Sequence, residues 1–229
     1  MHILRVDPSK KLDLLHKNEY FEGLDESLLK QVTAHMQLRE YDRGEALFWE
    51  GDPCAGLHII ELGFVKLYRL SPQGRQYIVR VLQEGDTCNE VPTFDGGINP
   101  VNVEALETTR VWVIQADILR ELLPKHPEFA QKVLNNFAQN LRGLVSMVSE
   151  MAFYQVTHRL ARLISQQSLD ELSGSPWTQE QLAARLGTVR EVVARSLKEL
   201  ERSGAIQLDK RRIEVSDPDV LAQWAQPWN

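Results

Sequence analysis

The chain has 229 residues, 26 Lys/Arg against 32 Asp/Glu for a net charge of −6, an ordinary apolar share of 43% and two cysteines, Cys54 and Cys88. That length gives room for one large domain or two ordinary ones. Two cysteines are too few for a disulfide framework or an all-cysteine iron–sulfur cluster within one chain, and no apolar stretch is long enough to span a bilayer. The N-terminal MHILRVDPSKKLDLL lacks the apolar core of a secretory signal, so a cytoplasmic chain is expected.

In chain order, LDESLLKQVTAHM reads as a helix with Asp25 as its N-cap. From Leu38 to Ile114 the texture changes to short β-branched and aromatic runs such as LHIIEL, FVKLYRL, QYIVRVL and TRVWVI. Gly51, Gly63, Gly74, Gly85 and Gly96 punctuate these runs every 11 or 12 residues, which predicts an all-β double-sheet roll. Cys54 and Cys88 read as small buried apolar residues, and Cys88 has no basic sequence neighbour to lower its thiol pKa. A short helix, DILRELLPKHP, follows the roll.

From Pro127 to about Tyr154 the spacing predicts one long helix of about 40 Å at 1.5 Å per residue. Val133, Phe137, Leu141, Leu144, Val148 and Met151 recur at intervals of 4, 4, 3, 4 and 3, close to a heptad seam. Such a seam is expected to meet a second copy of the chain, while another face of the helix closes the roll.

The segment WTQEQLAARLGTVREVVARSLKELERSGAI then carries the strongest signal. Thr178 and Gln181 form a Thr-x-x-Gln capping box, with Trp177 and Leu182 placed for a hydrophobic staple around it. Gly187 ends that helix, and Thr188 with Glu191 predicts a second box opening the next one. Two helices so tightly joined read as a helix-turn-helix. Val193, Leu197 and Leu200 face a small core with Leu182, Leu186 and Ile206, leaving Arg190, Ala194, Arg195 and Lys198 on the opposite face and Thr188 and Glu191 at its start. Arginine matches the two acceptors of guanine, and glutamate accepts from the cytosine amino group. Downstream, AIQLDKRRIEV predicts a β-hairpin wing with Lys210, Arg211 and Arg212 at its tip. Residues 156–229 carry ten charges of each sign, so residues 1–155 hold the whole negative excess. An acidic chain with one basic edge suits contact with phosphates through a single surface, with Thr178 and the wing beside the recognition helix.

The order of roll, long helix and winged helix resembles the CRP/FNR family of bacterial transcription regulators over nearly the whole chain. The resemblance rests on YDRGEALFWEGDP…LHIIELGFVKLYR, EGDTCNE, YQVTHRLARLI and TVREVVAR. It implies a homodimer that reads double-stranded DNA, works with RNA polymerase and senses a small effector in the roll. In cAMP-responsive members the recognition helix carries Arg-Glu and a second Arg five residues after the first. Arg190, Glu191 and Arg195 stand at those places and are similar to readers of a TGTGA-type half-site within an interrupted palindrome.

The sensor departs from the family pattern. Cyclic-nucleotide-binding members carry Gly-Glu and, further on, an Arg-Ser pair for the phosphate; here stand Asn89-Glu90 and Pro100-Val101. A Thr-Ser pair toward the purine is replaced by Leu144-Val145. Loss of the arginine removes a charged hydrogen bond of roughly 1.5–3 kcal/mol, so cAMP is not the expected effector. Haem stays open, since His2, His16, His35, His58, His126 and His158 are possible axial donors, although His58 in LHII reads as a packed strand residue.

The expected architecture is α+β: a β-roll sensor over 1–126, a dimerisation helix over 127–155 and a winged helix-turn-helix over 156–229. Two rival functions are a β-roll enzyme, which lacks a histidine and carboxylate cluster for a metal, and a ligand-gated adaptor that binds protein through its helix pair. No catalytic residue and no metal site is expected.

Overall fold

The computed structural model describes residues 1–4, 8–165, 178–209 and 212–226. Two compact units divide the chain, one comprising residues 1–69 and 80–142, the other 70–79 and 143–229. In order, the elements are β1 His2–Leu4, α1 Pro8–Lys17, α2 Glu26–Ala34, β2 Met36–Tyr41, β3 Ala46–Phe48, β4 Gly56–Leu62, β5 Val65–Leu70, β6 Gln76–Leu82, β7 Thr87–Cys88, α3 Glu90–Asp95, β8 Asn102–Ala105, β9 Thr109–Gln115, α4 Ala116–Leu122 and α5 Pro127–Phe153. They continue with α6 Val156–Ser165, α7 Gln179–Leu186, α8 Arg190–Arg202, β10 Ile206–Asp209, β11 Arg212–Val215 and α9 Pro218–Ala225.

The double-sheet roll is present as one sheet in the order β1-β2-β9-β4-β7 and another in the order β3-β8-β5-β6. The five regularly spaced glycines all lie at turns with φ between 76° and 90°, a region closed to most other residues. The middles of β4 and β9 read as short, largely apolar runs because both faces are covered. Leu57, Ile59, Trp112 and Ile114 face the helices, in a core shared with Leu15, Tyr20, Phe21, Leu28 and Leu29. Ile60 and Val111, paired across the two strands, turn the other way and join Tyr41, Val65, Leu82, Cys88, Val103 and Ala105 between the sheets. Asp25 caps α2 as expected, its carboxylate accepting from the Ser27 N–H at 3.0 Å.

Helix α5 carries two apolar stripes, and this corrects the seam. Phe129 and Val133 are buried in the helix-side core of the roll and Phe137 packs against it. Asn136 Nδ2 adds a bond to the Glu19 carbonyl at 3.4 Å. Val133 and Phe137 therefore belong to their own roll. The stripe left in solvent is Leu134, Ala138, Leu141, Val145 and Val148, spaced 4, 3, 4 and 3, with Leu144 beside it. Its large members are 51–65% exposed. Met151 lies where side chains are outside the described set.

Candidate nucleic-acid interface and sensor roll

The second unit is built on its own core of Leu160, Leu182, Leu186, Val193, Leu197, Leu200, Ile206 and Leu221. Thr178 caps α7 as predicted: its hydroxyl accepts from the Gln181 N–H at 3.2 Å, and the Gln181 amide oxygen accepts from the Thr178 N–H at 2.8 Å. Trp177 lies outside the described residues. Gly187 at φ 63° closes the helix, and the Ala183 carbonyl accepts from both the Gly187 and Thr188 N–H groups. Such left-handed closure is a common helix ending.

The second capping box does not form. Helix α8 starts one residue later than the spacing predicts, with Val189 as N-cap and no side-chain acceptor there. Thr188 is occupied in closing α7, so Glu191 has no capping partner and is exposed. Its carboxylate is thereby released to the surface. Helix α8 buries Val193, Ser196, Leu197 and Leu200 and exposes Arg190, Glu191, Arg195 and Lys198, with Thr188 and Ala194 half-buried at the margin. Glu201 Oε1 accepts from the Leu208 N–H at 3.1 Å and ties the end of α8 to the wing. The wing is an antiparallel pair in register from Ile206↔Val215 to Asp209↔Arg212. Lys210 and Arg211 lie outside the described residues, as does the side chain of Arg212.

Several supports were not foreseen. Arg159 Nη1 donates to the Leu186 carbonyl at 2.9 Å and so caps the end of α7. Thr157, buried on α6, donates to Glu199 Oε2 at 2.8 Å and sits 3.0 Å from Ser196 Oγ. Helix α9 follows the wing with Asp217 as N-cap and Pro218 at its first position, an Asp-Pro signal legible in the sequence. His158 Nδ1 lies 2.9 Å from the Trp224 carbonyl, and Arg162 donates twice to the Ala225 carbonyl. These contacts fasten α9 to α6. His158 is thus a packing residue of the second unit.

In the roll, Asn89 opens α3 in the left-handed region at φ 70°. Asparagine is among the few side chains that tolerate this conformation, so it keeps the backbone shape of the glycine that the resemblance places there. Its Nδ2 donates to the Gly56 carbonyl and to Cys54 Sγ, both at 3.3 Å. Glu90 accepts from the Thr87 hydroxyl at 2.8 Å. Pro100 is exposed, and half-buried Val101 packs against the core between the sheets. Leu144 and Val145 stand exposed on α5. With no cation at 100 or 101, and the donors of Asn89 spent on protein, these residues do not fit a cyclic phosphate.

His58 is 1% exposed, donates from Nδ1 to the Gly56 carbonyl at 2.9 Å and packs against the Phe48 ring. Burial pushes its pKa down to about 4, so the ring is neutral. Nε2 has no hydrogen-bond partner among the described residues, yet a ring so enclosed presents no open face to a porphyrin. Burial pushes the Cys88 thiol up, as fits an inert core cysteine. Among the described residues no group of three His, Cys, Asp or Glu is placed to hold a metal, and no helix is long and apolar enough to cross a membrane.

A β-roll followed by a long helix and a winged helix-turn-helix defines the class of one-chain sensor and DNA-binding regulators. A family model described as cyclic nucleotide-binding domain matches residues 38–126, and one described as Crp-like helix-turn-helix domain matches residues 156–224. The chain belongs to the CRP/FNR family of bacterial transcription regulators, with a sensor domain of the cyclic-nucleotide-binding type and a DNA-binding helix-turn-helix. It is 28% identical over 222 residues to a CRP-like cAMP-activated global transcriptional regulator of Mycobacterium tuberculosis, covering 93% of this chain and 99% of the relative. It is 27% identical to the fumarate and nitrate reduction regulatory protein of Escherichia coli, over 88% of this chain and 84% of the relative. A crystal structure of a CRP/FNR-family regulator from Eubacterium rectale shares the fold with a TM-score of 0.77 at 21% identity, covering 91% of this chain and 99% of that one. These relatives are transcription regulators, not enzymes.

Proposed function

We propose that the protein is a homodimer that reads an interrupted palindrome through Arg190, Glu191 and Arg195 and answers to an effector other than a cyclic nucleotide. The observation that carries it is the surface of α8: three cations and a carboxylate stand in solvent on the face opposite Val193, Leu197 and Leu200. Lys198 and the wing cations Lys210, Arg211 and Arg212 meet phosphate, with Thr178 and Thr188 beside the backbone at the two helix starts and Ala194 against the base edges. The functional parts are a sensor over 1–126, a dimer helix over 127–155 and a reader over 156–229. RNA polymerase is the further partner and the cytoplasm the compartment.

Binding to random duplex DNA tests the class. Affinity is expected to fall steeply between low and high salt, because each neutralised phosphate releases counterion. Binding that ignores salt would instead favour the protein-adaptor reading. For the sensor, calorimetry with cAMP and cGMP is expected to give no binding at micromolar ligand, since the phosphate loses a charged partner worth about 1.5–3 kcal/mol. Micromolar affinity for either nucleotide would overturn that reading of Pro100 and Val101.

A further inference from the structure

A further carboxylate, Glu180, stands beside the recognition helix. Glu180 is the second residue of α7, and its Oε1 lies 3.1 Å from Arg190 Nε at the start of α8. Gln179 Oε1 accepts from the same Nε at 3.4 Å. The contact bridges the first turns of the two helices across the Gly187 turn. Both side chains remain exposed, at 62% for Arg190 and 63% for Glu180. Arg195 and Lys198, also exposed, have no such carboxylate partner among the described residues. The pairing is therefore particular to Arg190.

Its geometry has a direct consequence for base reading. The Nε–H donates to Gln179, the Glu180 carboxylate lies beside it as an ion pair, and the two Nη groups of Arg190 have no hydrogen bond among the described residues. Those Nη groups form the end-on fork that matches the O6 and N7 acceptors of guanine. A phosphate draws the same guanidinium as a whole charge, with no base preference. A carboxylate beside Nε lowers the gain from any phosphate contact while leaving the fork free, so it acts as a repulsive element against wrong sites.

We propose that Glu180 is a specificity-determining positioning residue, which holds Arg190 off the phosphate backbone and presents its Nη fork to a guanine edge. This rests on the assignment of Arg190 as a base reader. Glu180→Gln removes the charge at an exposed position and leaves the Thr178–Gln181 cap in place. Random duplex is then expected to bind more tightly, by about eight-fold at 0.1 M salt, as one further phosphate is neutralised. The salt slope of that binding steepens by about 0.9 for the same reason. Affinity for the selected operator changes less, so the ratio of specific to non-specific binding falls.

The same substitution made in an Arg190→Ala background separates the outcomes. With Arg190 gone, Glu180→Gln is expected to leave the ratio where Arg190→Ala alone puts it. An equal rise in random-duplex affinity in both backgrounds would show that Glu180 only repels DNA and would overturn the pairing role, as would an unchanged ratio in the single variant. If Arg190→Ala itself leaves guanine preference intact, the base-reader assignment fails as well, and that single variant identifies which reading has gone.

Discussion

Replacing Leu141 and Val148 together by Glu is expected to give a monomer that no longer holds its operator. Both side chains lie on the exposed stripe of α5, at 60% and 65% exposure, seven residues apart and in line with Leu134. Ala138 and Val145 fill the intervening positions, so the stripe keeps the alternating 4 and 3 spacing of a two-stranded coiled coil. Covering such a Leu or Val against a second copy contributes about 1.5–3 kcal/mol per side chain, counted on both helices. Two buried carboxylates per chain, facing their symmetry mates, reverse that gain. A monomer presents one recognition helix, and one half-site lacks the joint contacts of a two-fold pair. Sedimentation is the measurement: a wild-type protein that is already monomeric at micromolar concentration would sink the dimer, and so would a double variant that stays dimeric. Phe137→Glu provides the contrast, because Phe137 packs on the core of its own roll. That variant is expected to lower the melting temperature of the roll rather than only separate the chains.

The comparison between Phe137 and Leu134 also shows where the sequence stopped being informative. Helix α5 is apolar on two adjacent faces, and periodicity reports a stripe without saying which surface covers it. Val133 and Phe137 fall in phase with Leu141 and Leu144, so they read as one seam until the roll is placed beside them. The roll itself was legible because its central strands β4 and β9 are buried on both faces and its turns recur with glycine at fixed spacing. The capping box at Thr178 was legible for a similar reason: all its partners lie within four residues. Its counterpart at Thr188 failed because the closure of the preceding helix claims that residue's backbone, a competition that a four-residue pattern does not contain. The Glu180–Arg190 contact joins residues ten apart across a turn, and the two bonds of Asn89 reach back to Gly56 and Cys54, more than thirty residues earlier. Neither has a local signature. Helix α9 is different, since Asp217-Pro218 announces it locally in the sequence.

Arg195→Ala is expected to weaken the selected operator by roughly 1–3 kcal/mol and to relax preference at one guanine position. Arg190→Ala is expected to do the same at a neighbouring position. Arg190 and Arg195 are five residues apart on α8, both exposed, and Glu191 lies between them without a capping duty. Along a helix that spacing advances about 7.5 Å, or some two base-pair steps, which lets separate side chains address separate edges in one major groove. Because α8 starts at Arg190, that residue and Glu191 occupy the first turn, the part of a recognition helix that meets the bases. Lys198 sits two turns in, and its replacement by Ala is expected to weaken all duplexes alike and to reduce the salt slope by about one. The contrast between these variants separates reading from grip. Selection from random duplexes with the wild-type protein is expected to return an interrupted palindrome with TGTGA-like arms. Failure to recover any palindrome, or unchanged base preference in Arg195→Ala, would show that α8 grips DNA without reading it.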